Sequence, residues 1–409
     1  MSNLEPYLEP EVKETLKATV DFLAENGVEI TTLFYKKLFL AHPELKNVFN
    51  MTHQEKNGEQ QEALARAIYG FAKNLDNLGV LQDLLNRIGH KHVSLGVTAD
   101  QYPVVGANLL EAIHEVVSEK IDVENADVIT AAWEKGYWLL ANMMIKNEAN
   151  LYEQSENQQG GWKGLREFEL IKREDESNSI TSFYISPKDG KPLPDYHSGQ
   201  YISLYVKPES YAYRQIRQYS LSDSHSENVY RITVKKEGVV SKHLHDYWQV
   251  GDSVNITPPA GEFQLKPDEN KPVVLVSAGV GVTPMISVMN TVLKKRKTQN
   301  ITFVQAVKDG QEHPFKAFLS ETEKQNKVRF ESIVFYENPL ESDQKGLDYH
   351  HQGLLDLDLV EKSVNQKEAD YYLCGPIPFM SEVHKKLTEW GVNKDQIHYE
   401  IFGSDKDLH

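Results

Sequence analysis

The sequence predicts a multidomain chain: an all-α part first, then an antiparallel β-barrel, then an α/β part built on a parallel sheet. Three observations carry this. Apolar residues recur at three- and four-residue spacing through residues 11–150. Short β runs separated by Gly, Pro, Asp and Ser follow. From Pro272 onward, apolar strands alternate with helical stretches. A chain of 409 residues has room for two or three domains at roughly 150 residues each.

The elements follow in order. Val20, Phe22 and Leu23, then Ile30, Leu33, Phe34 and Leu38, mark one amphipathic helix. Leu64 to Leu75, Val80 to Ile88, Tyr102 to Val117 and Ala126 to Ile145 repeat the pattern, and Pro43 and Pro103 stand near helix starts, where proline is tolerated. The polar segment Glu153 to Gly161 ends in paired glycines and is the expected linker. Ser179 to Ile185, Gln200 to Val206, Gln215 to Leu221, Tyr230 to Lys235 and Ser253 to Ile256 read as barrel strands. Val273 to Val276, Ile301 to Ala306, Phe330 to Phe335 and Tyr371 to Leu373 read as parallel strands, with helices at Pro314 to Glu323 and Pro378 to Trp390. The expected limits are 1–150 for the helical domain, 151–162 for the linker, 163–268 for the barrel and 269–409 for the α/β domain.

Composition narrows the partners. The net charge of −16 argues against nucleic acid and anionic membrane as main partners, while leaving room for a local basic phosphate pocket. Hydrophobic content of 40% and charged content of 25% are those of an ordinary globular protein. A single cysteine, Cys374, rules out an intramolecular disulfide framework and fits the cytoplasm. No signal segment and no membrane span are expected.

Three motifs carry chemistry. After an apolar strand comes Gly279-Val280-Gly281-Val282-Thr283-Pro284. The glycines let backbone approach a pyrophosphate, Thr283 is the expected N-cap, Pro284 suits the first helical position, and the helix N–H groups then bind anionic oxygens. Proline stands where the usual dinucleotide fingerprint has its third glycine, and taken alone the segment is also an ordinary β–α turn. In Arg217-Gln218-Tyr219-Ser220, the arginine offers a planar fork to a phosphate, the tyrosine a flat face to a ring system, and the serine a hydroxyl to a ring nitrogen. Gly238-Val239-Val240-Ser241 opens a helix with Ser241 as the expected N-cap. Taken alone, the last two are equally a plain strand and a plain cap.

Their order and spacing remove the ambiguity. Residues 163–409 resemble the ferredoxin-NADP reductase family through Gly199-Gln200-Tyr201, Arg217 to Ser220, Gly238 to Ser241, Gly279 to Pro284 and Cys374-Gly375-Pro376. The resemblance implies an FAD barrel held through Tyr201, Arg217, Gln218, Tyr219, Ser220, Val240 and Ser241. It also implies a nucleotide site for NADH or NADPH at Gly279, Val280, Gly281, Val282, Thr283, Pro284, Cys374, Gly375 and Pro376. In Glu400-Ile401-Phe402-Gly403-Ser404, Phe402 would lie against the flavin, with Ile401, Gly403 and Ser404 at the nucleotide.

The helical part resembles a globin. Phe49 follows Pro43-Glu44-Leu45-Lys46 as the phenylalanine that wedges haem, and His92 is the expected axial ligand of haem b iron. His90, two residues away on the same helix, is read as surface. The whole chain therefore resembles the flavohaemoglobin family, which implies conversion of nitric oxide to nitrate with O2 and NAD(P)H, a detoxifying reaction. The resemblance also implies a distal Tyr35 that steadies bound gas, and a distal pocket lined by Phe49, Gln60 and Leu64. It implies a proximal relay of Tyr102 and Glu148 behind His92, and redox tuning by Lys91 and Glu400. A carboxylate and phenol bonded towards the imidazole raise its basicity.

Three positions depart from the family pattern. Val282 stands in place of a glutamine, Ile401 of a cysteine and Ser404 of a proline. Two other functions remain open to the sequence: a haem-based gas sensor and a general flavin-dependent reductase. No marker after Ile301 to Ala306 separates NADH from NADPH. The chain is expected to act as a monomer.

Overall fold

A computed structural model describes residues 8–49, 58–209, 211–226, 228–268, 270–296, 298–366 and 368–403. The chain forms two compact units, Met1–Asn157 with Tyr205–Ile216, and Gln158–Leu204 with Arg217–His409.

The first unit is helical: α1 (Pro10–Ala18), α2 (Val20–Ala41), α3 (Glu59–Lys73), α4 (Gln82–Ser94), α5 (Tyr102–Lys120) and α6 (Val123–Asn157). Pro10 and Pro103 occupy first turns, where their missing N–H groups have no helical partner to lose. Pro43 instead opens the short 3₁₀ turn Pro43–Asn47. Phe34, Leu38, Phe71, Ile113, Val116 and Trp133 form the shared core. Each such side chain contributes about 1.5–3 kcal/mol on burial. Helix α6 runs on through Asn157. The expected linker is therefore helical over 151–157, because Glu153 to Asn157 are adequate helix formers that continue an existing helix at no nucleation cost.

Next along the chain comes an antiparallel sheet of β1 (Arg166–Asp175), β2 (Ile180–Pro187), β3 (Tyr201–Val206), β4 (Gln215–Ser220), β5 (Tyr230–Lys235) and β6 (Ser253–Ile256). Its order is β4-β3-β6-β1-β2-β5. An antiparallel bridge from Leu221, just past β4, to Ile232 of β5 joins the two edges and closes the sheet into the expected barrel. Strand β1 escaped sequence reading. In Arg-Glu-Phe-Glu-Leu only Phe168 and Leu170 alternate inward, and the register then slips between Leu170 and Lys172. Helix α7 (Val239–Tyr247) follows β5.

The remainder is a parallel sheet of β7 (Val273–Ala278), β8 (Ile301–Val307), β9 (Phe330–Tyr336), β10 (His351–Gln352), β11 (Asp370–Cys374) and β12 (Ile397–Glu400), in the order β10-β9-β8-β7-β11-β12. The chain walks outward from β7 to β10 and returns to β11 on the other side. A crevice therefore opens at the carboxyl ends of β7 and β11, where such sheets bind ligands. Helix α8 (Val282–Lys295) leaves that point and buries Met285, Ile286, Val288 and Met289 against the sheet. No helix among the described residues is long and apolar enough to cross a membrane.

Candidate functional site

Three helices bring His92, Tyr102 and Glu148 together. His92 lies near the end of α4, Tyr102 opens α5, and Glu148 comes from mid-α6. His92 Nδ1 stands 2.7 Å from Glu148 Oε1, and the Tyr102 hydroxyl donates to the same oxygen at 2.6 Å. The phenol oxygen is 3.3 Å from Nδ1. A carboxylate only accepts, so Nδ1 carries the imidazole proton and Nε2 presents its lone pair. Nε2 makes no hydrogen bond among the described residues. The Glu148 side chain is 3% exposed while that of His92 is 33% exposed, so the pair is anchored inside with the imidazole face open. Burial first, and the Glu148 charge second, raise the Tyr102 phenol above its ordinary pKa, which keeps it a donor.

Further residues hold this triangle and escaped sequence reading. The Tyr137 hydroxyl donates to the Tyr102 carbonyl at 2.6 Å. Gly106 makes room for the Tyr137 ring, since a Cβ there would sit 2.4 Å from it. Asn147 Nδ2 donates to the Leu85 carbonyl at 3.3 Å and so ties α6 to α4 beside the histidine. A mid-helix glycine one turn after Tyr102 was the available signal. His90 is not surface: it is half-buried, and burial pushes its pKa down to about 4. It flanks the buried row Leu85, Gly89 and Val93 of α4.

On α2, Tyr35 is 8% exposed and packs against Phe34, Phe39 and Phe49, with ring centroids at 4.7, 5.8 and 5.8 Å. Its hydroxyl makes no hydrogen bond among the described residues, and burial raises its pKa. Phe49 and Leu64 are partly buried against the helical core. Gln60 is half-buried one turn before Leu64 on α3. Lys91 is half-buried next to His92.

In the barrel, Tyr201 opens β3, and Arg217, Gln218, Tyr219 and Ser220 close the neighbouring β4. Ser220 is 6% exposed. Burial raises the Tyr219 phenol pKa and the Arg217 charge partly offsets that, so the phenol stays neutral beside a guanidinium. Helix α7 begins at Val239, so Gly238 rather than Ser241 is its N-cap. Ser241, three residues in, turns its hydroxyl back and accepts from the Gly238 and Glu237 N–H groups at 2.8 and 3.0 Å. Val240 beside it is 1% exposed.

At the crevice, Gly279 has φ +54, the left-handed region that glycine takes without penalty. Gly281 passes so close to β11 that a Cβ would lie 2.2 Å from the Cys374 carbonyl oxygen and 2.8 Å from the Gly375 nitrogen. Gly279 to Gly281 already coil as a 3₁₀ turn, so α8 starts at Val282 with Gly281 as N-cap. The expected cap, Thr283, is inside the helix and donates to the Val280 carbonyl at 3.1 Å, and Pro284 is its third residue. Val282 is fully buried in the apolar core. Cys374 is paired in register with Ser277 of β7 and Glu400 of β12, so the glycine turn, Cys374-Gly375-Pro376 and Glu400 share one sheet edge. Burial pushes the Cys374 thiol well above its ordinary pKa. Beyond β12, Ile401 packs on the core and Phe402 is 47% exposed. Ser404 lies outside the described residues.

The arrangement suits three groups. An imidazole with an oriented lone pair can take haem iron. A barrel edge with Arg217, Tyr219 and Ser220 can take a flavin and its phosphates. A glycine turn at a switch point can take a dinucleotide.

Comparison with known proteins agrees. A globin model matches residues 32–144, an oxidoreductase FAD-binding domain residues 167–265, and an oxidoreductase NAD-binding domain residues 275–385. A flavohemoprotein of Rhizobium meliloti is 43% identical over 97% of this chain and 99% of its own. One from Bacillus subtilis is 43% identical over 97% of each. The crystal structure of a flavohemoglobin from Malassezia yamatoensis, with bound FAD and heme, aligns over 97% of this chain and 100% of its own at TM-score 0.84 and 28% identity. The FAD/NAD-binding domain of a nitric oxide dioxygenase from Vibrio cholerae aligns over 58% of this chain and 98% of its own, at TM-score 0.53 and 40% identity. The chain therefore belongs to the flavohaemoprotein family, an oxidoreductase built on haem, FAD and a nicotinamide nucleotide.

Proposed function

We propose that the chain is a cytoplasmic nitric oxide dioxygenase. The balanced reaction takes two NO, two O2 and one NAD(P)H to two nitrates, NAD(P)⁺ and a proton. The observation that carries this reading is the Glu148 oxygen shared by His92 and Tyr102. An anionic partner on Nδ1 makes Nε2 a stronger donor, which favours oxygen chemistry over reversible gas sensing. The Vibrio cholerae relative adds support through 40% identity across the reductase half.

When bound, haem would supply the oxygen-activating iron, the nucleotide an electron pair, and FAD the conversion of that pair to single electrons. The protein's part is positional. His92 would hold the haem iron through Nε2, and Glu148 and Tyr102 fix its tautomer and ring plane. Tyr35 offers a protonated hydroxyl to the gas side, in a pocket with Phe49, Gln60 and Leu64. Arg217, Tyr219, Ser220 and Tyr201 hold the flavin, with Gln218, Val240, Ser241 and Phe402 beside them. Gly279 to Pro284 and Cys374 to Pro376 hold the nucleotide, with Ile401, Gly403 and Ser404 near it. Lys91 and Glu400 tune the potentials. The domain limits proposed for these roles are 1–150, 163–268 and 269–409.

The test uses ¹⁸O2. The haem- and FAD-loaded chain is given NO and NAD(P)H, and product nitrate is weighed. Nitrate carrying two ¹⁸O atoms supports the proposal. Nucleotide consumption with unlabelled nitrate, or with none, refutes it and leaves the sensor or general-reductase reading.

A further inference from the structure

Helix α8 presents the nucleotide turn at its start, yet its outer face is tied to the barrel. Ser287, Asn290, Thr291 and Lys294 fall at i, i+3, i+4 and i+7 and so share a face. Ser287 Oγ donates to the Asp223 carbonyl at 2.6 Å, and Asn290 Nδ2 donates to Asp223 Oδ1 at 2.7 Å. The Thr291 and Ser198 hydroxyls are bonded at 2.5 Å, and Lys294 Nζ donates to the His225 carbonyl at 3.3 Å.

The barrel residues on this seam bracket the flavin strands. Asp223 stands three residues beyond Ser220, and Ser198 three before Tyr201. Asp223 is itself held: Tyr196 donates to its carbonyl at 2.7 Å, and its Oδ2 lies 3.6 Å from Arg231. Ser287 is 0% exposed and Ser198 4% exposed. The stripe runs from buried Ser287 through half-buried Asn290 and Thr291 to exposed Lys294, and its buried end is costly unless paired, where apolar residues would pack a helix more simply. The pairing imposes one register between helix and strand, which an apolar seam does not.

We propose that Asp223 is a positioning residue for hydride transfer. With Ser287 and Asn290 it pins α8, and so the nucleotide turn, at a fixed offset from the end of flavin strand β4. This rests on the proposed function, in which hydride leaves the dihydronicotinamide C4 with both electrons and joins the flavin, giving oxidised nucleotide and reduced flavin. Such a transfer is sensitive to distance: a misplacement of about 1 Å can cost on the order of 10²-fold.

Asp223→Ala and Asp223→Asn are compared in the full chain loaded with haem and FAD. Anaerobic flavin reduction is followed at saturating nucleotide, with and without deuterium at C4, alongside nucleotide Kd and amide exchange across 282–295. Asp223→Ala is expected to slow flavin reduction by about tenfold or more, enlarge the isotope effect and speed exchange in α8, with Kd within about threefold. Asp223→Asn keeps an oxygen that accepts from Asn290 and is expected to restore all of these. If Asp223→Ala does not load FAD, Asn290→Ala replaces it and is expected to behave alike. An unchanged reduction rate, a loss confined to Kd, or an Asn variant as slow as the Ala variant overturns the proposal. If the unaltered chain oxidises neither nucleotide, the functional reading is what fails, and α8 exchange still judges the clasp: unchanged exchange in Asp223→Ala overturns it.

Discussion

Replacing Glu148 by glutamine isolates the charge behind His92. The side chain keeps its size, and its amide oxygen can still accept from His92 and Tyr102, so the two contacts at 2.7 and 2.6 Å change from charge-assisted to neutral. A hydrogen bond to a charged group contributes about 1.5–3 kcal/mol and a neutral one about 0.5–1.5. Two such changes sum to about 2 kcal/mol, or about 30-fold at 1.4 kcal/mol per factor of ten. That falls inside the roughly 10–100-fold range for partners that orient a metal-binding histidine. The assay is haem transfer to an excess of a haem scavenger, with the ferrous iron–histidine stretch read by resonance Raman. Haem loss is expected to quicken by about 10–100-fold and the stretch to move to lower frequency. An unchanged rate together with an unmoved stretch would refute the argument that Glu148 acts on iron through His92.

Tyr35→Phe removes a buried donor that has no partner among the described residues and is expected to raise the O2 off-rate by about five- to tenfold, the equivalent of one hydrogen bond. Burial holds the Tyr35 phenol above its ordinary pKa, so the off-rate of the unaltered chain should stay flat from pH 7 to 10; an inflection near the ordinary tyrosine value of about 10 would contradict the assignment. Gly281→Ala drives a Cβ to 2.2 Å from the Cys374 carbonyl. It is expected to cost about 1–3 kcal/mol and to abolish nucleotide-driven flavin reduction while dithionite still reduces the haem; retained nucleotide oxidation would refute the close-approach account. Burial pushes His313 down to about 3, whereas the unfolded chain takes that proton near pH 6.5. The unfolded state therefore binds more protons between those values, so stability is full above about pH 6.5 and falls as pH drops towards 3. His313→Gln should reduce the slope of unfolding free energy between pH 6 and 4 by about 1.4 kcal/mol per unit, measured by urea titration, and an unchanged slope would contradict it.

The sequence carried the architecture because each part has its own period: three to four in the helices, two in the barrel, and buried runs in the parallel sheet. It carried less of what depends on distance along the chain. His92 and Glu148 are 56 residues apart, and nothing local to either names the other; family resemblance supplied that pairing. Tyr137, which holds the Tyr102 carbonyl, looks like any aromatic on a helix until Gly106 is placed beneath its ring. The caps were misread for a local reason. A glycine turn that coils before the helix moves the N-terminus ahead of Thr283, and a serine at the third position of α7 serves backbone behind it rather than ahead. The Asp223 seam was invisible because Ser287, Asn290 and Thr291 read as an ordinary polar helix face, and only the fold shows that face hydrogen-bonded to the barrel.

The most direct test counts nitrate against nucleotide. The haem- and FAD-loaded chain in air-saturated buffer is given NO and either nucleotide, and nitrate formed and NAD(P)H oxidised are measured together. A two-electron donor serving one-electron cycles gives about two nitrates per nucleotide, and that ratio is the result expected here. Nucleotide oxidation with no nitrate above background would contradict the account.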